Sequence, residues 1–175
     1  MIELMTANWQ SLLVFVGACF LAASSGGIFK PGEWYEALEK PPWCPPNWVF
    51  APAWTVLFLL IALAGWRVFL ALRADMSPDT PVAAIVFTAP LIAYGIQLVL
   101  NALWSALFFG AKRPDWAMIE VVIFLAMIIG TAVLFFSVDS LAAIFFLPYI
   151  AWVSFAAVLN FSLMRRNPVS AASSA

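Results

Sequence analysis

The sequence contains no histidine, only two cysteines, and charged side chains at 10% of its 175 residues, where soluble domains carry about 25%. Without histidine there is no His-containing zinc site, no His-ligated haem, and neither a Ser-His-Asp nor a Cys-His nucleophile. Cys19 and Cys44 form no CxxC, which leaves an apolar filler and a loop thiol rather than a redox motif or metal-ligand set. Eight basic and nine acidic residues give a net charge of −1, so the basic field that phosphate neutralisation requires is missing and nucleic acid is excluded as a partner. No acid–base constellation stands out, no catalytic residue is assigned, and a non-enzymatic role is expected.

Apolar residues make up 65% of the chain, with 16 Phe, 9 Trp and 3 Tyr. Too few charges remain to keep such a chain solvated, which excludes disorder and points to lipid as the solvent. A spanning helix needs about 20 mostly apolar residues, so the charges mark its limits. None occurs between Glu3 and Lys30, Lys40 and Arg67, Asp79 and Lys112, or Asp139 and Arg165. A fifth run, Trp116 to Val138, carries only Glu120. The expected fold is an all-α, five-helix membrane bundle in one domain over residues 1–166, with helices at 8–29, 47–70, 82–109, 115–137 and 140–164. Residues 30–46 form a long loop, and 167–175 form a disordered tail. The leader MIELM has an acid and no base, and the apolar run behind it exceeds a signal core, so the first segment is expected to be a retained helix.

Lys30, Lys40, Lys112, Arg113, Arg165 and Arg166 fall on the long-loop side, and Arg67 and Arg73 on the other. The positive-inside rule then predicts the N-terminus outside and the loop and C-terminus in the cytoplasm. This bias favours a bacterial plasma (inner) membrane.

Helix three carries a polar stripe at Gln97, Asn101 and Ser105, with Trp104 and Phe108 beside it. Amides inside a bilayer must be bonded or face a cavity, so the stripe either ties helices together or lines a site. Converting sequence offset to depth at 1.5 Å per residue puts Asn160 roughly 6 Å, Trp104 and Glu120 about 8 Å, Trp54 about 10 Å, Asn101 about 12 Å and Trp152 about 18 Å from the long-loop face. A pocket on that side, covered by residues 30–46, is the simplest account. Trp9, Trp48, Trp66 and Trp116 suit interfacial anchors. Trp54, Trp104 and Trp152 lie too deep for that, and Trp34 and Trp43 sit in the covering loop. Flat aromatic faces with a few amides suit a planar apolar ligand.

Two small-residue rows, Ala102/Ala106/Gly110 and Ala18/Ala22/Gly26, permit close helix approach, within the chain or, through helix three, in a homodimer. Glu120 is the one acid inside a span. One turn from the interface, it is expected to reach water, Lys112 or Arg113 rather than act as a proton relay.

Three segments, WYEALEKPPWCPPNWVFAPAWTVLF, QLVLNALWSALFFG and PYIAWVSFAAVLNF, occur in order across residues 34–161. Together they resemble the tryptophan-rich sensory protein and mitochondrial translocator protein (TspO/MBR) family. The resemblance implies a five-helix bundle, usually dimeric, that binds porphyrins such as protoporphyrin IX or haem and needs no other cofactor. It implies a ligand pocket of Trp54, Asn101, Trp104, Trp152, Ala156 and Asn160, with Trp43, Pro45 and Pro46 in the lid beside Trp34. Animal members also bind cholesterol through a motif ending in Tyr and Lys/Arg. Here Leu159, Phe161 and Arg165 replace its tyrosine with phenylalanine, which favours a tetrapyrrole over a sterol. Family members also occur in outer membranes. The leading expectation is a receptor or carrier for sensing, transport or disposal of porphyrins. Light-dependent porphyrin breakdown and a small proton-coupled transporter are the alternatives.

Overall fold

The computed structural model describes residues 8–168. Five helices long and apolar enough to cross a membrane account for most of them: α1 (Trp9–Ile28), α2 (Phe50–Asp75), α3 (Ala89–Ser105), α4 (Pro114–Phe136) and α5 (Leu147–Arg166). Among the described residues there is no strand. Leu21, Ile119 and Phe136 stand on outer faces, as expected where the surrounding solvent is hydrocarbon.

Prolines decide where the helices differ from the expected runs. A proline ring collides with the carbonyl four residues earlier and supplies no N–H, so it tolerates helix only behind it. Pro90 splits the expected 82–109 helix into a short Val82–Val86 segment and α3, and Pro148 splits 140–164 into Ser140–Ile144 and α5. Pro52 similarly leaves the first turn of the second helix as a 3-10 turn, Asn47–Val49. At its far end α2 runs to Asp75, beyond the expected stop at 70. Most of the polar groups there are paired: Arg67 pairs with Asp139 at 2.7 Å, leaving only its Nε without a partner among the described residues, and Arg73 donates to the carbonyls of Pro78 and Thr80.

Helix α3 ends in a π-helical turn, Ala106–Gly110, closed by Ala111 N–H donating to the Ala106 carbonyl at 2.7 Å. The next residue but one, Lys112, has a left-handed backbone (φ 54°). The loop over residues 30–46 includes a helical turn, Glu33–Ala37.

Helix α1 packs against α2 and α3, α3 against α4, and α4 against α5. The Ser140–Ile144 segment closes the ring onto α2. Away from the long loop the ring is filled by aromatic contacts: Tyr94 stacks on Phe135, Phe135 meets Phe146 edge-on, and Phe146 meets Tyr149. A side chain at Gly65 would come within 2.7 Å of the Tyr94 ring and 2.9 Å of Phe15, so glycine is required where α1, α2 and α3 meet.

Several sequence expectations change here. Trp66 is no interfacial anchor: it is buried between helices, and its indole N–H donates to Ser11 Oγ at 2.8 Å. Trp9, Trp48 and Trp116 are exposed. Glu120 meets neither Lys112 nor Arg113 among the described residues. It is buried with no partner on either oxygen among the described residues, and Arg113 pairs with Asp115 instead. Asn167, expected in a disordered tail, is bonded on both amide atoms; the rest of that expected tail, residues 169–175, lies outside the described residues. Gly110 sits under Phe29 of the same chain, where a side chain would meet the ring at 2.7 Å.

Candidate functional site

The long-loop half of the bundle encloses a cavity of about 660 Å³. Trp54, Asn101, Trp104, Trp152, Ala156 and Asn160 all line it, so one space gathers six residues from α2, α3 and α5. The four lid residues do not: Trp34 meets Phe108 edge-on and Trp43 meets Phe155 edge-on, while Pro45 and Pro46 also stay outside the lining. The loop reaches the cavity through Pro31 and Tyr35 instead. Burial, and next the Cys44 thiol 3.8 Å away, holds the Tyr35 phenol above its ordinary range, so it stays a neutral hydroxyl.

Helix α1 contributes a wall that sequence reasoning placed elsewhere. Ala22, Ala23, Gly26 and Gly27 line the cavity, and a side-chain carbon built at Gly26 or Gly27 would meet nothing within 4 Å. The small residues here leave space instead of bringing helices together. The signal was readable as a GG pair without a bulky residue facing it, but only the packing distinguishes a void from a contact.

On α3 the wide π turn places both Phe108 and Phe109 against the cavity. π turns of this kind are frequent at functional sites. Trp104 stacks on Phe108 at a centroid distance of 5.0 Å, and its indole N–H, shielded from solvent, has no partner among the described residues.

Asn101 is oriented by a chain of bonds. Its Nδ2 donates to Tyr149 Oη at 2.9 Å, and that hydroxyl donates to Gln97 Oε1 at 2.9 Å. Among the described residues this leaves Asn101 Oδ1 without a bond, on a side chain that lines the cavity. Gln97 thus serves the ring of helices, while Asn101 serves both the ring and the cavity. Tyr149, fully buried, is the residue the sequence reading missed. Its signal was a lone phenol in an apolar helix, which must find a hydrogen-bond partner. Asn160, with its amide oriented to match its neighbours, donates to the Pro114 carbonyl at 3.2 Å and accepts from Met118 N–H at 3.1 Å, tying α5 to the first turn of α4.

No residue lining the cavity carries a charge. Among the described residues no three His, Cys, Asp or Glu side chains cluster as metal ligands would. The cavity is therefore equipped for stacking, apolar burial and a few hydrogen bonds.

The loop is latched to the end of α5. Asn167 accepts from the Glu39 backbone N–H at 2.9 Å and donates to the Glu39 carbonyl at 3.1 Å, and Arg166 pairs with the Glu39 carboxylate at 3.0 Å. Lys40 and Asn47 both hold Glu36 within the loop.

Residues 15–166 match the model of the TspO/MBR family. The protein named CrtK of Rhodobacter capsulatus is 40% identical over 155 residues, covering 89% of this chain and 91% of that protein. A tryptophan-rich sensory protein of Cereibacter sphaeroides is 38% identical, covering 93% and 95% of the two chains, and the human translocator protein is 32% identical, covering 93% and 94%. A match over nearly the whole chain, on five apolar helices, makes this chain a multi-pass integral membrane protein of the TspO/MBR family.

Proposed function

We propose that this chain is a membrane receptor or carrier that holds a porphyrin-type tetrapyrrole, such as protoporphyrin IX or haem, in the long-loop cavity for sensing, transport or disposal. The observation that carries the proposal is a cavity of about 660 Å³ lined by three indoles, three amides and, among the described residues, no charged side chain. Its size falls within the roughly 300–1,000 Å³ of small-molecule sites. The ring stacks against Trp54 and Trp152, and Asn101 Oδ1 accepts a hydrogen bond from a ligand donor. No histidine exists to ligate a metal, so the macrocycle is held by its faces and edges. The six-against-two distribution of basic residues supports a cytoplasmic cavity mouth and a bacterial plasma membrane. The row Ala102 and Ala106 remains available to a second copy.

Titration of protoporphyrin IX into detergent-purified protein, followed by tryptophan quenching, tests this. Saturable micromolar binding is expected, weakened severalfold by Trp152→Phe and by Asn101→Ala. No quenching, or equal quenching in all three proteins, overturns the site. Illuminating the same samples separates holding the ligand from degrading it.

A second function, proton-coupled transport, is favoured by one observation: Glu120 is buried in the span with both carboxyl oxygens unpartnered among the described residues. It requires Glu120→Gln to abolish ligand flux in proteoliposomes while leaving binding intact.

A further inference from the structure

A second recess, of about 290 Å³, adjoins the cavity and is lined by Lys30, Gly32, Glu33, Trp34, Phe109 and Lys112. Only one layer of residues divides the two spaces. Phe109 lines both, Pro31 between Lys30 and Gly32 lines the cavity, and so does Tyr35 next to Trp34.

The cations of the recess are unengaged. Lys40, Arg67, Arg113 and Arg166 are ion-paired, Arg73 is bonded to two loop carbonyls, and Arg165 lies over the Phe161 ring. Lys30 and Lys112 have no ion pair or hydrogen bond among the described residues. Lys112 is held beside Phe109 by the bonds that close the π turn, Ala111 N–H to Ala106 and Arg113 N–H to Leu107. Two lysines against Glu33 leave the recess with a surplus of one positive charge.

A ligand that carries acid groups meets an uncharged cavity, and burying a carboxylate there without a partner is prohibitive. The adjoining recess supplies the missing charge. We propose that Lys30 and Lys112 form an anion subsite that takes a carboxylate arm of the ligand whose apolar ring fills the main cavity. The subsite therefore selects acidic over neutral planar ligands. This rests on the tetrapyrrole function above, and the same chemistry would also accept the phosphate of an anionic lipid.

The test compares protoporphyrin IX, a dicarboxylic acid, with its uncharged dimethyl ester. Both are titrated into protein in phosphatidylcholine nanodiscs, with parallel discs containing phosphatidylglycerol. The wild type is expected to favour the diacid. The double variant Lys30→Gln/Lys112→Gln is expected to lose about tenfold in diacid affinity while its ester affinity stays within about twofold, which also shows that the variant is folded. Lys30→Arg/Lys112→Arg restores the diacid preference. If the diacid-to-ester ratio is the same in wild type and the glutamine variant, the subsite is wrong and the cavity assignment stands. If, in addition, the glutamine variant releases phosphatidylglycerol that the wild type retains in native mass spectrometry, the recess is a lipid headgroup site instead. If the wild type binds neither porphyrin, the tetrapyrrole function and the subsite fall together.

Discussion

The two halves of this bundle are built from the same kind of apolar helix and differ in what stands where the helices meet. In the half away from the long loop, Gly65 lies against Tyr94 and Phe15, with no room for a single added carbon. In the long-loop half, Gly26 and Gly27 face open space, and Ala22, Ala51 and Ala156 line it with them. The first glycine buys contact, and the second pair leaves a void. The polar groups divide in part the same way, although Arg67 Nε and Gln97 Nε2, away from the cavity, also lack a partner among the described residues. Arg67 and Asp139 neutralise each other in the closed half, with Asp139 also accepting from Ala142 N–H at the start of its helix. In the open half Asn101 keeps an oxygen, and Trp104 an N–H, with no partner among the described residues. A membrane bundle has little hydrophobic force between its helices and depends on close packing and internal hydrogen bonds. The closed half supplies both, which lets the other half remain under-packed.

The largest effect on this division is expected from Arg67→Met. Its side chain is 16% exposed and that of Asp139 7%, so the change strands a nearly buried carboxylate. The loss should be roughly 3 kcal/mol, the low end for breaking a buried pair, read as a fall in thermal midpoint in detergent. Ligand affinity per folded molecule should stay unchanged, since the pair is remote from the cavity.

Next come two glycine substitutions that act in opposite ways. Gly65→Ala forces Tyr94 or Phe15 to move and should cost about 1–3 kcal/mol, as overpacking does. Gly26→Leu should leave stability unchanged or slightly higher, because leucine is a better helix former than glycine by roughly 0.8 kcal/mol, yet it should weaken ligand binding at least tenfold by filling the cavity. Equal effects of the two substitutions on the thermal midpoint would erase the distinction between contact and void.

The smallest effect concerns the cover of the open half. Asn167→Ala removes two hydrogen bonds to the Glu39 backbone at the molecular surface and should cost about 1 kcal/mol. Hydrogen exchange at the Glu39 amide should accelerate severalfold while amides in α4 keep their protection. An unchanged rate at Glu39 would mean that the Arg166 pair alone secures the loop.

How much of this was legible varies from element to element. Charge spacing located all five helices, because lipid tolerates so few charges that each gap measures a span. The interruptions at Pro90 and Pro148 were also legible, since each lies four residues beyond the last helical residue before a break, and an apolar run by itself concealed them. Depth along the helices selected Trp54, Asn101, Trp104, Trp152, Asn160 and Glu120; the fold brings the first five to one space with Ala156 and leaves Glu120 outside its lining. Depth could not assign the covering loop. Trp34 and Trp43 were assigned to it by their place in residues 30–46, whereas Tyr35, one residue from Trp34, is the ring that reaches the cavity. A five-residue helical turn rotates neighbouring side chains by about 100°, and nothing in composition reveals which neighbour points inward.

Sequence by itself determined that this chain lives in lipid, crosses it five times and belongs to the TspO/MBR family, because composition, charge spacing and ordered motifs are properties of the chain read along its length. Only the tertiary structure decided whether Gly65 and Gly26 make a contact or a cavity, that Trp66 is internal, that Glu120 is buried without a partner among the described residues, and that Tyr149 fixes the amide of Asn101. Those outcomes depend on which surfaces of different helices are brought within a few ångströms of each other, and that distance is set by the whole bundle rather than by any one segment.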